Sequence, residues 1–400
     1  MNSSAVRPPS LSGSLYRLLD DNPMVSRSRV LDIIRILGAG LAVLGTAGLL
    51  FAWSGLYSVA ASRGHWPVVE WFLAFGMRQS VETHIIGIKA PLLDDPDLVR
   101  LGAGHFHAGC AYCHGSPGTP ISPIAKQMLP SPPELSKAAN DWEPKELFWI
   151  VKHGLKYTGM PGWVALERDD EVWAVVAFLR KLPSLDVTSY RNLALGGVSL
   201  AAQSGREIAT ARSAYEVVGA CARCHGAEGQ GPLSSRVPVL HGQTAEYLAL
   251  ALNSYAAGRR KSGIMQPVAS DLTGDEVRKV AAYYAGLTAP TAAKPKLKVD
   301  AAAVEKGRAL AVDGVSAAGI PPCLACHAPQ ALATYPRLAG QHAGYMANQL
   351  RLWKQGLKAG TDNAAIMAPI AQLLSDRQID EVSAYFNSVA SATGVGASRQ

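Results

Sequence analysis

No stretch of this chain sustains the alternation of apolar and polar residues that a half-buried strand needs, so helices must carry its core and the expected fold class is all-α. Long basic tracts are missing as well. Arg259-Arg260-Lys261 is the one tight cluster, and five arginines against three aspartates before residue 36 leave +5 of the total formal charge of +7 on the rest. Charge that scattered is no footprint for nucleic acid. Nothing resembles a substrate-binding catalytic constellation, which argues against an enzyme acting alone on a small-molecule substrate. Charged residues, 17% of the whole, are absent from Ile36 to Ser62. Finally, no cysteine is left over: all six fall into three pairs of identical spacing.

Those pairs read Cys110-Ala111-Tyr112-Cys113-His114, Cys221-Ala222-Arg223-Cys224-His225 and Cys323-Leu324-Ala325-Cys326-His327. On a helical turn, cysteines at i and i+3 share a face, where their sulfurs can form thioethers with the two vinyl groups of one haem while the adjacent histidine reaches the iron. Three copies predict three covalently bound haem c groups. The alternative, zinc ribbons or a disulfide framework, calls for cysteine pairs or varied spacings instead.

The second and third motifs belong to an internal repeat with an offset of 102 residues: Cys221 maps to Cys323, His225 to His327 and Met265 to Met367. Within it, Pro-x-Leu-x-Gly-Gln-x-x-x-Tyr runs from Pro238 to Tyr247 and again from Pro336 to Tyr345, at an offset of 98. This is duplication of one folding unit. The first unit is a more distant relative, yet in all three a methionine precedes a helix aromatic by 18 residues: Met160 to Phe178, Met265 to Tyr283, Met367 to Tyr385. The aromatics are expected to be core residues where helices cross.

Met160, Met265 and Met367 follow their histidines by 46, 40 and 40 residues, and each has a proline within two positions, which suits an extended ligand loop. They are the candidate sixth ligands; a thioether there raises the potential relative to a second imidazole. The metal ligands are thus expected to be His114, Met160, His225, Met265, His327 and Met367, with His153 as a rival at the first site. Met128 is expected to be packing, and His105 and His107 to face the surface or the haem propionates. The Arg259-Arg260-Lys261 cluster is expected to be a solvated turn, with propionate or acidic-partner pairing as the alternative.

The uncharged run from Ile36 to Ser62 is long enough to cross a bilayer, and the arginines before it place the N-terminus in the cytoplasm. A cleaved leader ending near Val59-Ala60-Ala61 is the rival. Either way the haem-bearing part is exported. Capping boxes at Thr273 to Glu276 and Ser375 to Gln378 open terminal helices. Residues 183–202 and the Ala/Pro/Lys stretch 288–298 read as joins between units.

With the motif at the end of a first helix, a late methionine and an aromatic terminal helix, each unit resembles a class I cytochrome c. Residues 205–390, with their Gly-Gln-x-x-x-Tyr segments, resemble tandem dihaem cytochromes of the c4 type. Residues 95–185 resemble the single-haem domains of membrane-bound bacterial cytochromes. The third unit departs from the pattern by inserting Asp313 to Ile320 before its motif. The resemblance implies three cytochrome c domains in tandem (95–185, 203–288 and 301–390) behind a cytoplasmic segment (1–35) and an anchor (36–62). It further implies a trihaem electron carrier on the periplasmic side of a bacterial inner membrane. Its redox partners would be a quinol-oxidising complex or soluble donor and a terminal haem-copper oxidase, or else a periplasmic quinoprotein or molybdenum dehydrogenase. A haem peroxidase or gas sensor would need an open iron position, whereas each unit offers a methionine.

Overall fold

The computed structural model describes residues 27–196, 214–227, 231, 234–287, 300–358 and 360–389. Its described elements are helices; the β-type pairings among them are two isolated bridges, Ser116 with Thr119 and Val315 with Ile320. Residues 1–64 and 65–400 form two separate bodies.

In the first body, α1 (Arg27–Ser54) is a single helix with its apolar side chains exposed. Among the described residues it is the one helix long and apolar enough to cross a membrane. The uncharged run was expected to span 36–62, but the helix begins earlier and ends at Ser54, where Gly55 turns the backbone left-handed at φ 66°.

The second body opens with α2 (Pro67–His84) and α3 (Pro96–His105). α3 runs through a π-type turn, Phe106–Cys110, into a short helix Ala111–His114, so the first motif ends a nearly continuous helix. Then come α4 (Pro144–His153), α5 (Asp169–Lys181) and α6 (Val187–Leu195). α3 crosses α5 so closely that a Cβ on Gly102 would lie 1.9 Å from the Ala174 carbonyl oxygen. Only glycine allows that approach. Phe178 is buried there against Phe106, with ring centroids 5.1 Å apart. The join expected at 183–202 contains α6, whose Tyr190 is buried against the same two rings; its remainder from 197, and the stretch 288–298, lie outside the described residues.

α7 (Ala214–His225) ends on the second motif, followed by α8 (Ala245–Ala256), a short helix Met265–Ser270 and α9 (Gly274–Ala285). The third segment comprises α10 (Ala301–Asp313), a short helix Leu324–His327, α11 (Ala343–Lys354), α12 (Ala364–Leu373) and α13 (Asp376–Ser388). Both expected capping boxes are present, at Thr273 and Ser375. The inserted residues stop α10: Val315 N–H donates to Ile320 O and Ile320 N–H to Val315 O, at 2.8 and 3.1 Å, so the motif starts a new helix. α10 and α13 repeat the close crossing, with a Gly307 Cβ 2.0 Å from Glu381 O and 2.9 Å from Tyr385 Cβ. Tyr385 therefore sits at a crossing as Phe178 does, but Tyr283 is 38% exposed; in both repeats the next residue, Tyr284 or Phe386, fills the core.

The second and third segments meet through reciprocal contacts. Gln341 donates from Nε2 to Val239 O (2.9 Å) and accepts from Val239 N–H at Oε1 (2.8 Å). Its repeat mate Gln243 does the same with Arg337, at 2.7 and 2.9 Å. A contact in which i meets j and j meets i is the mark of a two-fold arrangement. The first segment joins the second elsewhere. Arg236 pairs with Asp95 at 2.6 Å, and the buried Glu171 accepts from Ser262 Oγ (2.6 Å) and Gly263 N–H (2.6 Å) while pairing with Arg168 at 2.9 Å.

Candidate functional site

The first two motifs close helices and the third forms a short helix of its own, Leu324–His327 with Cys323 as its cap, so in each both thiols and the histidine are presented within about one turn. All three imidazoles are then fixed in the same way. Nδ1 meets a proline carbonyl oxygen: Pro133 for His114 (2.9 Å), Pro238 for His225 (3.1 Å) and Pro336 for His327 (2.9 Å). A carbonyl can only accept, so Nδ1 carries the proton and the Nε2 lone pair is left for a metal. Burial pushes all three histidine pKa values below the usual range, which keeps the rings neutral at pH 7.

The thiols are free of disulfides. Burial, aided by Cys113, pushes Cys110 up to about 12, and burial takes Cys221 and Cys323 to about 11. A zinc ribbon needs convergent thiolates. Among the described residues no three His, Cys, Asp or Glu side chains converge in a metal-holding group.

The six cysteines, their three histidines and Met160, Met265 and Met367 all line one continuous, mainly apolar cavity of about 940 Å³. Met160 lies in the irregular loop after α4, as the proline beside it suggested; its N–H donates to Thr158 Oγ1 at 3.1 Å. Met265 and Met367 depart from the expected extended loop. Met265 opens a short helix in which Pro267 falls in the first turn, where a missing N–H costs nothing, and Met367 lies in α12 ahead of an internal Pro369. Met128 packs beside the first loop, its sulfur 2.6 Å from where a Gly159 Cβ would sit.

The rival His153 is exposed at the end of α4, off the cavity, with its ring 5.1 Å from that of Trp149. Of the two positions expected for His105 and His107, facing the surface or the haem propionates, the surface one does not hold. His105 is half-buried, faces Trp163 at 4.6 Å and lines the cavity, and burial takes its pKa to about 4. His107 Nδ1 meets the hydroxyl of buried Tyr190 at 2.8 Å.

Arg260 is likewise no part of a solvated turn. It is buried, lies 4.6 Å over the Tyr255 ring, and donates through Nη2 to Tyr345 OH (2.8 Å) and Gln349 Oε1 (3.0 Å). Its Nε has no hydrogen-bond partner among the described residues. Lys358, 98 positions later and so its repeat mate, is also buried, 4.6 Å over Trp353, with Nζ donating to Gln349 Oε1 at 2.8 Å. Burial and the nearby Arg260 and Arg168 push the Lys358 ammonium well below its usual pKa. Both cations line the cavity, and no carboxylate pairs with either among the described residues. Buried cations without a counter-ion are costly. A ligand with its own carboxylates, as haem has in its two propionates, matches what this cavity lacks.

The proline carbonyls, the glutamine exchange and the Arg260–Lys358 pair escaped sequence reasoning. Pro238, Pro336, Gln243 and Gln341 were visible as a repeated motif without a role. Pro133 follows its histidine by 19 residues, against 13 and 9 for the others, so no common spacing betrays it.

Residues 97–179 and 206–283 match the family described as cytochrome c oxidase, cbb3-type, subunit III, and residues 304–390 match the cytochrome c family. The thiosulfate dehydrogenase electron acceptor of Stutzerimonas stutzeri is 37% identical over 191 residues, 47% of this chain and 87% of that protein. Cytochrome c4 of Pseudomonas aeruginosa is 34% identical over 170 residues, 41% of this chain and 81% of that one. Among solved structures, reduced recombinant cytochrome c4 from Pseudomonas stutzeri is 30% identical and is covered completely by 45% of this chain, at a TM-score of 0.39. The chain belongs to the class I c-type cytochromes, a family whose members carry covalently bound haem c and transfer electrons.

Proposed function

We propose that this chain is a membrane-tethered trihaem electron carrier, with cytochrome c domains at about 95–185, 203–288 and 301–390 held outside the cytoplasm by α1. One observation carries it: the same arrangement of two thiols, an Nδ1-anchored histidine and a methionine lines one cavity three times over. Cys110 and Cys113, Cys221 and Cys224, and Cys323 and Cys326 are the attachment points. His114, His225 and His327 offer Nε2, and Met160, Met265 and Met367 offer sulfur. Haem so held supplies a reversible one-electron couple at its iron. Around it, Leu147, Ile150, Val280 and Phe386 keep water out, and Arg260 and Lys358 offset propionate charge.

The match to an oxidase subunit family supports a carrier between a quinol-oxidising complex or soluble donor and a terminal haem-copper oxidase. A second reading, acceptor subunit of a periplasmic dehydrogenase complex, is favoured by relatives named as thiosulfate dehydrogenase electron acceptors. In neither does the chain act as an enzyme on its own. A pyridine haemochrome assay tests the proposal: three haems per chain that resist acid-acetone, and two after Cys323→Ala with Cys326→Ala. Extractable haem, or two haems in the unaltered chain, overturns it. A deletion strain separates the partners, losing either quinol-driven oxygen uptake or dehydrogenase-driven respiration.

A further inference from the structure

We infer that α2 lies in the membrane–water interface and holds the first haem-binding segment against the bilayer. The inference rests on reading α1 as a membrane anchor. Val68, Trp71, Phe72 and Phe75, at i, i+3, i+4 and i+7, form one stripe of this helix. All four are exposed, Trp71 and Phe72 at 64% each, and the rings of Trp71 and Phe75 stack at 5.7 Å. The opposite stripe is already used. Val81 is buried with Ile85 and Ile150, and Met77 packs against that cluster together with Trp149, Leu155 and Met160.

An exposed stripe with two phenylalanines and a tryptophan needs a cover, and the sequence limits what that can be. Twelve residues, 55–66, separate α1 from α2. Fully extended they reach about 40 Å, so the start of α2 cannot leave the neighbourhood of a bilayer that α1 crosses. Amphipathic aromatic side chains are the type that settles at headgroup level. The apolar stripe also occupies only the anchor-proximal half of the helix; its continuation, Gln79 and Glu82, is polar and exposed, with their side chains bonded at 3.1 Å. A helix immersed at its first turns and emerging at its last fits that gradient. Because the inner stripe shares a core with α4 and the Met160 loop, the first site is the one held nearest the membrane.

Lipid photolabelling of the full-length chain tests this, in vesicles of phosphatidylcholine doped with a diazirine-bearing phosphatidylcholine and containing no other protein. Adducts are expected on peptides covering Val68 to Phe75 as well as on α1. Trp71→Ser with Phe72→Ser and Phe75→Ser should cut labelling of α2 at least tenfold while haem content and α1 labelling stay unchanged. Adducts confined to α1, or equal labelling of the triple variant, overturn the inference and leave the anchor intact. Adducts on α2 without α1 overturn the anchor, and with it the inference that rests on it.

Discussion

An imidazole can bind iron through either nitrogen, and in this chain the choice is made by backbone oxygens of Pro133, Pro238 and Pro336. With that side of each site fixed, the proposed trihaem reading makes the methionines the adjustable ligands. Met367→His or Met265→His should lower the potential of one haem each without altering covalent haem content, and should remove part of the weak red-end absorption of the ferric protein. Spectroelectrochemical titration reads both. Unchanged potentials in Met367→His would mean the ligand is another residue. His105 gives a pH test. Its unfolded imidazole titrates at 6.5 and the buried one at about 4, so as pH falls through this window the unfolded chain takes up a proton that the folded one refuses. Stability present above pH 6.5 should therefore drain away towards pH 4, and His105→Gln should flatten that slope in denaturant midpoints. The cysteines, histidines and methionines could be nominated from sequence because identity and spacing suggest their chemistry, and the structure brings them to one cavity. Arg260 was legible only as an alternative, since Arg-Arg-Lys reads the same whether its middle residue is wet or, as here, buried over Tyr255 between exposed neighbours.

Helix ends were readable for the same local reason: Thr273 and Ser375 accept from the N–H groups of Glu276 and Gln378, three residues on. Helix crossings were not, because Gly102 and Gly307 gain their meaning only from carbonyls some 70 residues away on α5 and α13. Gly102→Ala and Gly307→Ala should each cost about 1–3 kcal/mol through forced separation of the helices. Gly219→Ala, with nothing within 4 Å of the added methyl, is the control; it should stabilise α7 by about 0.5–1 kcal/mol. Urea unfolding followed at 222 nm measures all three. The helical setting of Met367 was also hidden, since Pro369 two residues later argued for extended chain, yet α12 carries that proline inside. The inserted residues 313–320 stood out in sequence, but their effect, a helix broken before the third motif, depends on the Val315–Ile320 pairing.

Across the whole molecule, the repeat announced a duplication and left open how its halves meet. Gln243 and Gln341 answer that, and replacing both by alanine strands two backbone N–H groups and two carbonyls in a buried contact, at about 1–3 kcal/mol for each glutamine. Calorimetry should then resolve one unfolding transition into two. Glu171→Ala, which leaves Arg168 buried with one partner fewer, should loosen the first segment from the second and cost about 3–5 kcal/mol. Topology gives the remaining test: detergent should be needed for extraction, and protease added to spheroplasts should digest the haem-bearing part. Release by osmotic shock with an N-terminus near Ser62 would identify a cleaved leader. The reciprocal glutamine contact has one more consequence. In a homodimer the two halves of a two-fold are identical by necessity, so an electron gains nothing by crossing from one to the other. Duplication within one chain frees the halves to diverge, and here Arg260 over Tyr255 has as its repeat mate Lys358 over Trp353. Two sites built on one plan can then hold electrons at unequal energies, and a symmetrical contact acquires a downhill direction.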